Sequence, residues 1–227
     1  MPAYNEEQGI SNVVRDFLRQ KIVDEVIVAN NNSTDNTARI AKSAGAHVIF
    51  EPKKGYGNAV QTAFREALKH KADIIVNTES DCTFLGRDTY KLLPYLDDVD
   101  MVLGSRTHKV LIRKNAKMGA FLWWGNYLLA KLLQFLYGSA QFTDIQCSFR
   151  AINRKGLIKI MPKLKEGGST FLTQMTILVI KNGLKVIEVP INYSERIGES
   201  KITSDFYKSS KVGFGIVYSI FKNRLGK

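Results

Sequence analysis

The sequence predicts an α/β protein built on a doubly wound, mostly parallel sheet with helices on its faces. Short apolar runs alternate with stretches of helical periodicity through the first third of the chain, and a polar cluster follows each run. Strands alternating with helices of about 10 to 15 residues are the pattern of βαβ units. With 227 residues, 44% of them hydrophobic and 24% charged, the chain fits one domain with a substantial core and is not disordered.

In order, Ile10, Val13, Val14, Phe17 and Leu18 are spaced for one face of a helix. Glu25 to Ala29 reads as a buried strand, and Asn30 to Asp35 as a polar turn. Thr37 to Ala44 reads as a helix closed by Gly45. His47 to Phe50 is the next strand, Gly55 to Asn58 a flexible turn, Ala59 to His70 a helix, and Ile74 to Val76 a strand. Beyond Asp81 the expected elements are a helix at Asp88 to Leu96 and a strand at Met101 to Leu103. A long apolar helix at Ala120 to Tyr137 and an irregular segment at Asp144 to Arg154 follow. A helix at Phe171 to Asn182, an alternating strand at Lys185 to Tyr193, a polar loop at Arg196 to Lys201 and a closing helix at Phe206 to Phe221 complete the chain.

Chemistry concentrates at Glu79-Ser80-Asp81, two acids at i and i+2 just beyond an apolar run. That position is the carboxyl end of a strand, where open α/β sheets bind ligands. Hard oxygen ligands with no soft neighbour suit Mg²⁺ or Mn²⁺, and such an ion commonly also grips a phosphate. A solvated turn with two surface acids is the simpler reading. Further polar clusters at Pro2 to Glu6, Asn30 to Asp35, Lys53 to Asn58 and Gly104 to Arg106 also fall at strand ends, so one crevice is expected to collect them all.

A net charge of +12 favours polyanionic partners: nucleotides, nucleic acid or an anionic membrane. No nucleic-acid motif is present, so that class is set aside. The two cysteines, Cys82 and Cys147, lack metal-ligand spacing, and the three histidines are scattered, so the reading is a reduced, intracellular protein without a zinc site. No secretory signal opens the chain. Gly119 to Tyr137 is apolar nearly all round and rich in aromatics, and Lys109, Arg113, Lys114 and Lys117 precede it. Those features predict a helix lying in the headgroup plane of an anionic leaflet, with a core or dimer helix and a true membrane span as the alternatives. Val212 to Phe221, flanked by Lys208, Lys211, Lys222 and Arg224, is a candidate second contact.

Taken together, the motifs resemble those of family 2 glycosyltransferases of the GT-A fold. Pro2-Ala3-Tyr4-Asn5-Glu6, Asn30 to Asp35, Glu79-Ser80-Asp81, Gly104-Ser105-Arg106 and Asp144 to Ala151 match the family's segments in order. Glu188 to Tyr193 followed by Arg196-Ile197-Gly198-Glu199-Ser200-Lys201 is similar to the ending of the polyprenol-phosphate sugar transferases, the dolichol-phosphate mannosyltransferase group. The resemblance covers residues 2 to about 205. It implies a GT-A catalytic domain at 1–205, its first strand missing or truncated before Pro2, with a basic amphipathic helix at 206–227. Asn30 and Glu79 stand where the family usually has aspartate.

The resemblance implies transfer of a sugar from a UDP or GDP donor to a polyprenol phosphate, with inversion, by an enzyme peripheral on the cytoplasmic membrane face. Glu79 and Asp81 would hold Mg²⁺ or Mn²⁺. Pro2, Ala3, Tyr4, Asn5, Glu6, Asn30, Asn32, Lys54, Gly55 and Ser80 would contact the donor. Arg106, Arg196 and Lys201 would grip phosphate, since guanidinium forks suit its oxygens; surface salt bridges are the alternative for each. Arg106 and Arg196, with Asp144, form the catalytic set. Asp144 would serve as base to a hydroxyl acceptor, or orient a phosphate acceptor that is already ionised; helix capping or pairing with Arg150 is its structural alternative. Two other functions stay open: transfer to a glycan hydroxyl, and a nucleotide-sugar binding module without turnover. Oligomeric state is not legible.

Overall fold

The computed structural model describes residues 1–116, 118–138, 141–198 and 206–225, the side chains of 206–208 and 225 excepted. Lys117 and the stretch holding Glu199, Ser200 and Lys201 lie outside the described residues.

The first sheet is parallel, in the order β1 (Pro2–Ala3), β2 (Ile27–Asn30), β3 (His47–Phe50). Between its strands run α1 (Ile10–Leu18) and α2 (Thr37–Ser43), and α3 (Tyr56–Lys69) leads into β4 (Ile74–Asn77). Pro2 and Ala3 themselves form a two-residue strand. Pro2 and Ala3 pair with Ala29 and Asn30, and the Met1 amine donates to the Ile27 carbonyl at 2.8 Å.

The second sheet has the order β4, β6 (Arg150–Asn153), β5 (Met101–Ser105), β7 (Val186–Pro190). β6 runs antiparallel to both β4 and β5, while β5 and β7 are parallel. The Ser80 hydroxyl donates to the Pro2 carbonyl at 2.9 Å and ties the two sheets together. The segment expected to be irregular therefore supplies a central strand, followed by α6 (Arg154–Ile160). An arginine and an asparagine at the ends of β6 leave only two apolar residues, too few to register as a buried strand. Asp88 to Leu96, expected as one helix, is α4 (Thr89–Leu92) between two 3₁₀ turns, and Pro94 falls in the second of them.

Two long helices cover one side. α5 (Ala120–Tyr137) buries Ala130 and Leu133, and α8 (Phe206–Leu225) buries Ile216 and Ile220 in the same core as α7 (Phe171–Lys181). The Tyr137 hydroxyl donates to the Ile220 carbonyl at 2.8 Å, linking α5 to α8. Their outer faces keep aromatic residues in solvent, with Phe135 84% and Phe214 77% exposed. Among the described residues no helix is long and apolar enough to cross a membrane.

Arg150 is fully buried, yet its guanidinium meets carbonyls rather than a carboxylate: Cys147 at 3.1 Å, Leu172 at 3.1 Å and Ile145 at 3.2 Å. Burial above all, and the Arg106 charge to a lesser degree, depresses its pKa, and these carbonyls, together with the Thr176 hydroxyl at 3.3 Å, satisfy its donors. The residue pins β6, the loop before it and α7 to one another. Arg150→Met would remove the donor from the buried Cys147 and Ile145 carbonyls, the Leu172 carbonyl keeping the Thr176 hydroxyl, so it is expected to lower unfolding free energy by on the order of 3 kcal/mol in urea denaturation. A loss under about 1 kcal/mol would show that the carbonyls find other donors.

Candidate active site

Loops after the parallel strands gather at one edge because such strands present their carboxyl ends on the same side. Their shapes are set by asparagines. Asn5 and Asn32 adopt left-handed backbone, with φ of 54° and 66°, a conformation asparagine tolerates better than most residues. Asn5 Oδ1 accepts from the Thr34 amide at 2.8 Å, Asn30 Oδ1 from the Ser33 amide at 3.1 Å, and Asn32 Nδ2 donates to the Glu51 carbonyl at 3.0 Å. These three side chains hold loop to loop and lie outside the wall of the cleft. Asn31 faces it instead, donating to the Glu51 and Lys53 carbonyls and accepting from the Gly55 amide at 2.8 Å. Gly55 has φ +134°, and a Cβ there would stand 2.3 Å from the Gly167 carbonyl, so no other residue fits.

At the floor stand Glu6, Glu79 and Asp81, facing Arg196. The Arg196 guanidinium bridges Asp81, at 2.9 Å, and Glu6. Its Nε is buried and has no hydrogen-bond partner, a donor left over by the two carboxylates. Burial, and then the neighbouring Asp81 charge, pushes the Glu79 carboxyl up to about 6. Three carboxylates gathered around one guanidinium leave the floor short of positive charge. The donor set is all hard oxygen, so Glu79 and Asp81 fit a Mg²⁺ or Mn²⁺ ion, with Glu6 adjacent. Cys82 follows with φ 66°, and the Asp81 carboxylate is fixed by the Thr83 amide at 3.1 Å and hydroxyl as well as by Arg196.

Arg106 forms the opposite wall. It makes a bidentate pair with Asp144, Nε to Oδ2 at 2.7 Å and a terminal nitrogen to Oδ1 at 2.9 Å, and its guanidinium lies 5.5 Å from the centre of the Tyr193 ring. Burial disfavours the Arg106 charge, but Asp144 outweighs it and holds the pKa above the usual arginine value. Asp144 itself is fully buried behind Arg106 and does not reach the wall. Its partner is thus Arg106, where capping or Arg150 had been the structural alternative. Glu188, which sequence reasoning gave no role, accepts from the amides of Thr143 and Asp144, each at 2.7 Å, and so fixes the loop carrying Asp144.

The structure brings Pro2, Ala3, Tyr4, Glu6, Lys54, Gly55, Glu79, Ser80, Asp81, Arg106 and Arg196 to one cavity of about 1070 Å³. Lys201 lies outside the described residues. Gln146, Ser148 and Tyr193 also join the wall; they lie inside the two family-like segments Asp144 to Ala151 and Glu188 to Tyr193, which assigned them no role. The same cavity continues between α5 and α8, where Leu122, Leu129, Val212 and Ile216 line it.

Comparison with known proteins agrees with this geometry. A sequence model of "Glycosyl transferase family 2" matches residues 1–161. The dolichyl-phosphate hexose transferase of Haloferax volcanii is 34% identical over 99% of this chain and 94% of its own. The undecaprenyl-phosphate mannosyltransferase of Micrococcus luteus is 28% identical over 89% of this chain and 86% of its own. Among solved structures, glucosyl-3-phosphoglycerate synthase from Mycobacterium tuberculosis, in complex with Mn²⁺, UDP and glucosyl-3-phosphoglycerate, superposes with a TM-score of 0.75 at 20% identity. That match covers 99% of this chain and 78% of the other and shares the GT-A fold. The chain is a glycosyltransferase of family 2, in the polyprenol-phosphate sugar transferase group.

Proposed function

We propose that this glycosyltransferase moves a hexose from a UDP- or GDP-sugar to a polyprenol phosphate at the cytoplasmic face of a membrane, with Mg²⁺ or Mn²⁺ at Glu79 and Asp81. One observation carries the reading: a single cavity is charged at the strand ends and apolar between α5 and α8. A phosphate on an isoprenoid tail has that same division. The names of the two relatives support the acceptor class, and the UDP complex of the structural neighbour supports the donor class.

The donor diphosphate belongs at the floor, where the unpartnered Arg196 Nε offers a hydrogen bond. A bound divalent ion supplies positive charge against the departing diphosphate. Arg106, held in one orientation by Asp144 and the Tyr193 ring, presents its charge toward the acceptor phosphate. That phosphate is largely ionised at neutral pH, so no base is needed. One of its oxygens bonds to the anomeric carbon as the bond to the diphosphate breaks, which inverts the centre. Both Asp144 oxygens are engaged by Arg106, which favours an orienting role over proton abstraction from a hydroxyl.

The exposed aromatics of α5 and α8, beside Lys109, Arg113, Lys114 and Lys211, form the surface we assign to the anionic leaflet.

The deciding assay is transfer of labelled sugar from UDP and GDP donors into undecaprenyl or dolichyl phosphate with Mg²⁺ or Mn²⁺. Organic-extractable label that needs the metal and falls about 100-fold or more in Asp81→Ala is expected. Label only in a glycan with a free hydroxyl would replace the lipid phosphate as acceptor. Arg106→Lys, which cannot keep the bidentate pair, is expected to lose at least about tenfold in kcat/KM.

Membrane attachment is read by Trp fluorescence with vesicles containing anionic lipid. Phe135→Ser with Phe214→Ser is expected to weaken binding about tenfold or more, and binding that ignores both lipid charge and these residues would remove the surface assignment.

Glu79 adds a pH test in the metal-free protein. Its folded pKa of about 6 exceeds the ordinary 4.5, so its protonated form is the stable one: the contribution is full below pH 4.5 and lost as pH rises through 6. In EDTA, Glu79→Gln is therefore expected to be more stable than wild type at pH 7.5, by at most about 2 kcal/mol, and no different at pH 4.5. Equal stability at both pH values would show that the carboxylate is already compensated.

A further inference from the structure

Away from the cleft, the fold collects two of the three histidines that are scattered in sequence. His47 opens β3, Glu66 lies in the last turns of α3, and His70 follows that helix. Their potential ligand atoms all lie within 4.8 Å of one another. His47 Nε2 is 3.5 Å from Glu66 Oε1, and His70 Nε2 is 3.3 Å from the same oxygen. A tetrahedral zinc ion with ligands at roughly 2.1 Å sets them about 3.4 Å apart, so both separations match the edge of that polyhedron. We propose that His47, Glu66 and His70 form a site for one divalent transition-metal ion of the Zn²⁺ class.

The surrounding contacts prepare each ligand. Glu25 Oε2 lies 2.7 Å from His70 Nδ1 and would retain the proton on that nitrogen, so that a bound ion replaces the proton on Nε2, the nitrogen facing Glu66. Lys69 takes the other Glu66 oxygen, Oε2, at 2.8 Å, leaving Oε1 for single-point ligation. Glu66 and His70 are four apart, so they share one side of the chain as it leaves α3. The amide of His47 donates to the Val26 carbonyl at 2.9 Å, which sets the third ligand against them. Side-chain exposures of 41%, 18% and 35% for His47, Glu66 and His70 leave a path for the ion and a fourth position for water. Imidazole nitrogens select Zn²⁺, Co²⁺ or Ni²⁺ over Mg²⁺, which is the reverse of the all-oxygen floor of the cleft. The 14 residues of α3 separate this site from Gly55 at the cleft by about 20 Å, so its role is to tie β3, α3 and the Glu25 segment together rather than to take part in transfer.

The test is titration of the full chain, in the Asp81→Ala background that silences the cleft, with Co²⁺ followed by its visible absorption and with Zn²⁺ in competition. One equivalent with a tetrahedral spectrum is expected, along with a rise in melting temperature on adding Zn²⁺ that Mg²⁺ does not reproduce. His47→Ala and His70→Ala are each expected to weaken binding at least tenfold, and Glu66→Gln, which keeps the side-chain shape, to do the same. In the otherwise wild-type chain these variants should retain transfer activity with Mg²⁺. No tetrahedral Co²⁺ spectrum would overturn the site and leave a His–Glu–Lys ion-pair cluster. Binding that survives loss of His47 would overturn the three-ligand assignment.

Discussion

The architecture of the cleft depends on one guanidinium. Arg196 lies 190 residues from Glu6 and 115 from Asp81, and bridges both. Without it the three carboxylates would have to neutralise by taking up protons, because buried charge without a partner is costly. Backbone bonds hold the loop that delivers it: the Ile197 amide donates to the Asp81 carbonyl at 2.9 Å, and the Ser194 amide to Thr83 at 2.9 Å. The late loop is therefore a wall of the site built directly on the β4 loop. A ligand bringing its own positive charge to this floor must share the carboxylates with Arg196.

Buried charge also organises the parts of the fold that strands cannot. Among the described residues, none of the seven strands exceeds five residues, so ladders alone leave much irregular chain to be fixed. Arg150 does this with carbonyls, Glu188 with the Thr143 and Asp144 amides, and Asp88 with the amide and side chain of Asn192 at 2.6 and 2.8 Å. Each replaces a missing ladder with charge-assisted hydrogen bonds in a low-dielectric interior. The Glu188 to Asp144 to Arg106 succession shows the benefit: the last member meets the cavity, and the two behind it decide where it points.

These features also explain what could be read in advance. His47–Phe50 and Ala120–Tyr137 agree with their sequence boundaries because each is a predominantly apolar run that ends at a polar residue or a glycine, Glu51 and Gly138. β6 was hidden because its first residue is an arginine whose burial depends on carbonyls far away in sequence. The polar loops were legible as clusters, but not the direction of each side chain within them. In the run Asn30-Asn31-Asn32, only the middle side chain lines the cleft, held there by the Glu51, Lys53 and Gly55 backbone, and no propensity distinguishes the three. The pairing of His70 with Glu25 spans 45 residues and two elements, so it emerges only when β2 and α3 pack.

α5 is the most instructive case. Its sequence has no polar stripe, a pattern that suits a helix enclosed by apolar material. In the fold it has three surroundings: Ala130 and Leu133 face the core, Leu122 and Leu129 the cavity, and Leu128 and Phe135 are exposed. Trp123 anchors its start by donating to the Thr107 carbonyl at 2.9 Å, one residue from Arg106. Under the proposed function this placement has an energetic logic. Each methylene of an isoprenoid chain drawn from a bilayer through water costs about 0.8 kcal/mol, so a route of even a few residues' length through solvent would be prohibitive. A helix apolar on its outer face and on its cavity face allows the tail to stay in apolar surroundings while only the phosphate advances toward Arg106. The uniform hydrophobicity of α5 is then what continuity between membrane and cavity requires.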